Sequence, residues 1–217
     1  MLAPPRLLRR CLVTGIVLLA LAPLVHAAVR TENRFGSILI DGKKAGQIHY
    51  TIEYADSGDV ETLRTRASLS ILGVKLFNFE QNLHERWHRG ELRELHGRTE
   101  DDGEIYEASL ERGATAYKGT LNGNPIELTD KAFPASVWHY AIVNQTLLFD
   151  LKTLKLLNVK VVRSDDDTVT VGGRTIRAER FDFSGDWRAS AWFDAERHLV
   201  QFKYLIDGHD VLVKLED

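Results

Sequence analysis

The chain has 217 residues with 28 basic and 31 acidic side chains, a net charge of −3 and one cysteine. A mildly acidic, mixed-charge composition without a basic stripe between aromatics excludes electrostatic recognition of a phosphate backbone, so no nucleic-acid partner is expected. A lone cysteine excludes an internal disulfide framework and leaves stability to packing and strand pairing.

Residues 1–27 have the pattern of a secretory leader. Arg6, Arg9 and Arg10 precede the apolar run Leu12 to Val25, and Val25 and Ala27 place small residues at the cleavage positions before Ala28. The apolar run, about 14 residues, is short beside the roughly 20 that a membrane span needs, so no transmembrane span is expected in the mature chain. Removal of the leader takes the three arginines and Cys11 with it, shifting the charge from −3 to −6. Residues 28–217 are then expected to form one domain, periplasmic or secreted.

From residue 41 onward, turn signals come at intervals of roughly 8 to 12 residues, as in an antiparallel chain. Asp41-Gly42, Ser57-Gly58, Arg89-Gly90, Asp102-Gly103, Arg112-Gly113 and Asn122-Gly123 mark the first half, and Gly172-Gly173, Asp194-Ala195-Glu196 and Asp207-Gly208 the second. Between them apolar residues alternate. Ile48, Tyr50, Ile52 and Tyr54 share one face of the clearest strand, and Leu63, Ala67, Leu69 and Ile71 repeat the pattern. Phe77, Phe79, Leu83 and Trp87 follow with the same period. Later come Phe181 with Phe183, Val200 with Phe202, and Val211 with Val213 and Leu215. Between Ile176-Ala178 and Phe181-Phe183 the apolar parity slips by one, which predicts a bulge or sharp twist near Glu179. Roughly ten strands exceed a flat sheet, so the expected fold is all-β with one short helix: an antiparallel meander curled into a barrel or half-barrel. Charged outer faces and a last strand ending Leu215-Glu216-Asp217 favour a soluble form over an outer-membrane barrel.

The helix is expected within Phe133–Phe149, where the period changes. Trp138, Ala141, Ile142, Gln145 and Phe149 would fall on one side, with Ser136 as N-cap. This segment should cap the concave side or one end of the sheet. Trp138, His139, Ile142, Asn144 and Phe149 are the candidate ligand-binding residues, because an aromatic and an imidazole at a cavity mouth are the usual furniture of an apolar pocket.

His84-Glu85-Arg86-Trp87-His88 matches H-E-x-x-H, in which two histidines one helical turn apart chelate zinc and the glutamate activates water. On a strand, His84 and His88 would stand about 13 Å apart, too far to share an ion with bonds near about 2.1 Å. The alternating, turn-bounded run predicts the strand. A zinc hydrolase with ligands His84 and His88 and base Glu85 is therefore the alternative, and no cofactor or metal is the main expectation. Ser136 and His139 are spaced for a nucleophile and base, but no acid near them in sequence would orient the imidazole. Asp165-Asp166-Asp167 lacks the spaced glycine and closing glutamate of a calcium loop.

Several stretches together resemble a family of secreted bacterial proteins, domain of unknown function 6134. They are Glu85 to Leu92, Thr99 to Gly103, Ser136-Val137-Trp138 with Gln145, Val169 to Arg174, and Trp192 to Phe202. The resemblance implies an exported, β-rich protein of a Gram-negative-type bacterium with no established activity. Where that family usually has Asn after the tryptophan, this chain has His139.

The expected function is non-catalytic binding of an apolar or acyl-bearing small molecule beneath the helix. An envelope module that binds another protein through a sheet edge or face is a further alternative.

Overall fold

The computed structural model describes residues 30–55, 60–70, 78–206 and 208–216. The residues 1–27 expected to form a leader, together with Ser57-Gly58, Ile71, Phe77 and Asp207, lie outside the described residues.

Eight strands form the first half: β1 (Arg30–Ile40), β2 (Lys43–Tyr54), β3 (Val60–Ser70), β4 (Asn78–His88), β5 (Glu91–Asp101), β6 (Glu104–Arg112), β7 (Ala116–Leu121) and β8 (Asn124–Thr129). The second half adds β9 (Phe133–Pro134), β10 (Leu147–Phe149), β11 (Leu156–Arg163), β12 (Asp167–Val171), β13 (Arg174–Gly185), β14 (Ala189–Phe193), β15 (Leu199–Ile206) and β16 (His209–Glu216). The predicted turns explain this regularity. Asp41-Gly42, Arg89-Gly90, Asp102-Gly103, Asn122-Gly123 and Gly172-Gly173 each have positive φ at both central residues, as a two-residue type I′ hairpin requires. The backbone twist of that turn matches the twist of the strands it joins.

All pairings are antiparallel except β9 with β10. The sheet runs β8 to β1 in reverse order, then β16 to β13, β11, β10 and β9, with β12 paired to β13. Pairing of β1 with β16, from Phe35↔Glu216 to Ile40↔Val211, joins the two halves. The end strands β8 and β9 follow one another in sequence but form no ladder among the described residues, so the sheet is not closed.

Its curvature is read from the core. Ile48, Ile52 and Leu63 of the first half pack in one cluster with Phe181, Phe193 and Phe202 of the second, together with Ile142 and Leu148. A second cluster unites Trp87, Leu95, Leu110 and Tyr117 with Phe149. The Tyr117 and Phe149 rings meet edge-on at 5.7 Å although their strands lie near opposite ends of the sheet. Side chains so distant along the sheet touch only because it bends around its inner face.

One sequence expectation is corrected. No α-helix forms in 133–149: the segment contains β9, a 3-10 turn over Tyr140–Asn144, and β10. Residues 135–146 are the crossover that parallel strands β9 and β10 require, and its length, about a dozen residues, is near the minimum for such a connection. A short run containing Ile142 and Val143 has little intrinsic helical stability, whereas strand pairing satisfies the flanking backbone, as where Ala135 N–H donates to the Phe149 carbonyl at 2.9 Å. His139, rather than Ser136, caps the turn, its Nδ1 accepting from Ala141 N–H at 3.3 Å.

A bulge does lie at Glu179, with its extra residue on the neighbouring strands rather than on β13. On the edge of β13 that meets β11 and β12, Arg163 faces Phe181 and Asp167 faces Ala178, so residues 164–166 stand against Glu179 and Arg180 alone, while the pairing with β14 is regular. Ile176 and Ala178 face a small outer core with Val169, Val171, Trp192 and Val200, whereas Phe181 and Phe183 face the main one. Alternation is unbroken, and the apolar residues change faces because each face has its own core.

Candidate functional site

The H-E-x-x-H stretch is extended within β4. Leu83, Glu85 and Trp87 point inward and are buried, while His84, Arg86 and His88 point outward. His84 opposes His96 across β5, and burial together with the Arg64 charge holds its imidazole below the usual histidine range. The histidines lack the one-turn spacing that joint chelation needs, and Glu85 lies on the other face of the sheet from both. Among the described residues no group of three or more His, Cys, Asp or Glu is gathered to hold a metal ion.

Glu85 is the most unusual group in the interior. It is 0% exposed, flanked in register by Leu63 and Leu95, and next to the irregularity between Arg86 and Trp87. Trp87 Nε1–H donates to its Oε2 at 3.0 Å. Oε1 has no hydrogen bond, nor has the Ser136 hydroxyl, itself 2% exposed. Burial pushes the Glu85 carboxyl up to about 7, against the milder opposing effects of the Ser136 hydroxyl and the Trp87 indole. Ser136 stands near enough to favour the anion but outside hydrogen-bonding geometry. Near neutral pH the group lies between its two protonation states.

Ser136 brings in the crossover. His139 stacks on Trp87, with centroids 4.5 Å apart and planes at 23°, and Phe133 abuts both rings. Trp138 lies against buried Tyr50. Tyr140 donates through its hydroxyl to Glu179 at 2.9 Å and packs edge-on against Phe181 and Phe193.

Along this seam runs a groove of about 380 Å³. Its walls are Ile52, Leu63, Trp87, Trp138 and Leu199; Tyr54, Tyr140, Arg34, Arg197 and His198 stand around them. Of the predicted binding residues, Trp138 and His139 line it. Ile142 and Phe149 do not, both being 0% exposed in the core, and Asn144 points to solvent. Sequence reasoning missed Glu85 as an inward residue, although it shares its odd parity with Leu83 and Trp87. Tyr54, Ile52 and Leu63 were recognised as inward, but nothing in the sequence paired them with a crossover more than seventy residues away.

The fold brings an acid to Ser136 and His139, yet the three are not wired for nucleophilic catalysis. His139 Nδ1 accepts a backbone N–H, so in the neutral ring the hydrogen is on Nε2. Glu85 is bonded to Trp87, and the Ser136 hydroxyl is sealed from solvent without a base.

Among solved structures the chain is similar to a β-barrel-like protein of domain of unknown function DUF1849 from Brucella abortus. The TM-score is 0.59 at 11% identity, covering 87% of this chain and 97% of that one. This likeness is one of fold. No curated protein matches the chain. The profile of domain of unknown function DUF6134 matches residues 37–216, nearly the whole of the described sheet, and the chain therefore belongs to the DUF6134 family.

Proposed function

We propose that the protein is an exported, periplasmic, barrel-like binding protein that takes an apolar or acyl-bearing ligand into the groove between the sheet and the 135–146 crossover, without catalysing a reaction. The observation that carries this is the lining of the groove: Ile52, Leu63, Trp87, Trp138 and Leu199 meet around about 380 Å³, within the usual range for small-molecule sites. Three larger hollows, of about 470, 610 and 620 Å³, lie among charged side chains such as Arg174, Arg177 and Glu216, or Arg64, Arg98 and Glu107, or Lys44, Arg66 and Glu80. None of them gathers aromatic rings as this groove gathers Tyr54, Trp87, Trp138 and Tyr140. The leader-like residues 1–27 support export.

Titration of the processed protein with a fluorescent fatty-acid probe tests the proposal. Saturable binding, displaced by unlabelled oleate and weakened about tenfold or more in Trp138→Ala with an unchanged far-ultraviolet spectrum, is the expected outcome. A wild-type protein that fails to take up the probe refutes it.

A further inference from the structure

We infer that Arg197 is the head-group anchor of this groove, and that the ligand is an amphiphile with an anionic head, a carboxylate or a phosphate. The inference rests on the groove being a ligand site and adds the chemical class of its occupant.

Arg197 lies in the hairpin between β14 and β15. Asp194 fixes that loop: its Oδ1 accepts from the N–H groups of Glu196 at 3.0 Å and His198 at 2.8 Å, and its carbonyl accepts from Arg197 N–H at 3.0 Å. Within it Arg197 has φ of +66°, the left-handed region where an L side chain is strained and glycine is favoured. Asp41, Arg89, Asp102 and Asn122 also have positive φ, but each is the first central residue of a type I′ turn with glycine after it; Leu154, at +55°, is buried in the core. Arg197 has no such setting. A costly backbone conformation in a rigid loop here puts a guanidinium 5.0 Å above the Tyr140 ring, at the rim of the groove.

The charge of Arg197 is uncommitted, unlike that of its neighbours. Arg34 is held by Glu32 and the Leu199 carbonyl, Arg163 by Asp166 and Glu179, and His198 by Asp194. Arg197 has the Tyr140 ring and no ion pair with any described carboxylate. Glu196 also borders the groove and reduces the field without pairing with Arg197. An anion held by the planar donor fork of Arg197, with its chain running down between Trp138 and Leu199, satisfies both the free charge and the apolar walls.

Quenching of the groove tryptophans gives the test. Oleate, 1-oleoyl-glycerol phosphate and methyl oleate are titrated into the full processed chain and into Arg197→Gln, Arg197→Gly and Glu196→Gln. At least one of the two anions should bind about tenfold tighter than the neutral ester, the worth of one charge-assisted hydrogen bond, and their order tells carboxylate from phosphate. Arg197→Gln should abolish this preference, bringing anion affinity down to that of the ester. Arg197→Gly should abolish it while raising the melting temperature, because glycine relieves the strain. Glu196→Gln should strengthen anion binding. Equal affinity for acid and ester in the wild type, or a preference that survives Arg197→Gln, overturns this assignment alone. Absence of binding by all three overturns the groove reading as well.

Discussion

Glu85→Gln tests the electrostatics of the interior. In the unfolded chain the carboxyl titrates near its ordinary 4.5, and in the folded protein near about 7. Folding therefore favours the protonated form. The resulting stabilisation is fully present below about pH 4.5 and is lost as pH rises through about 7. The difference between the two values corresponds to about 3 kcal/mol. Gln keeps the shape of the neutral acid, can accept from Trp87 Nε1–H, and offers an N–H group to the unpaired Ser136 hydroxyl. The variant should match the wild type at pH 4.5 to within about 1 kcal/mol and exceed it by about 3 kcal/mol at pH 9. For a domain of this size that is roughly 6–12 °C of melting temperature. Urea unfolding of both proteins between pH 4.5 and 9 measures it. Glu32 and Asp182 have lowered pKa values, so their contribution is instead lost as pH falls, but they are common to both proteins and cancel in the difference. Trp87 fluorescence should shift between pH 6 and 8 in the wild type alone. Parallel stability curves across that range, within about 0.5 kcal/mol, would refute the argument.

Three further substitutions probe the sheet and the crossover. Gly119→Ala should destabilise by about 3 kcal/mol or more in chemical denaturation, because a β-carbon there would stand 1.8 Å from the Ser109 carbonyl oxygen, which belongs to the neighbouring strand and cannot swing aside. Ile142→Ala removes a side chain that is 0% exposed and should cost about 3 kcal/mol. Arg89→Asn, at φ of +52° in the β4–β5 turn, should stabilise by about 0.5 kcal/mol, since Asn-Gly is the preferred pair for that turn.

Most of the sheet was legible because its two signals are local. Turn pairs such as Asn122-Gly123 encode their own geometry, and alternation assigned Ile48, Tyr50, Ile52 and Leu83 to the interior without knowledge of any partner. The rest is decided by distant residues. Ile176-Ala178 and Phe181-Phe183 marked the bulge at Glu179, but not that β12 and β14 lie on opposite sides of β13's pairing and that the outer face acquires its own apolar cluster. Spacing in 138–149 matched a helix, yet Phe149 belongs to a strand that packs on Tyr117, more than thirty residues away. Glu85 was hidden by its company: a string that reads as a zinc motif drew attention to the histidines, although strand parity alone places the glutamate between Leu83 and Trp87.

The failed helix and the groove have a common cause. β9 and β10 lie side by side in parallel at one end of the sheet, so the chain between them must leave the sheet and return. A helix on this crossover would lay a continuous apolar stripe along the inner face. The single 3-10 turn instead sends Ile142 into the core, while Trp138 and His139 lie across Tyr50 and Trp87. Contact is thus made by a few large side chains separated by gaps, and the groove follows the gap between Trp138 and Leu63. Glu85 sits under the same seam, where a neutral carboxyl needs no counter-charge and a carboxylate would have none. Substitutions that restore helical covering of the inner face should therefore close the groove, whereas those that ionise the seam should loosen the crossover from the sheet.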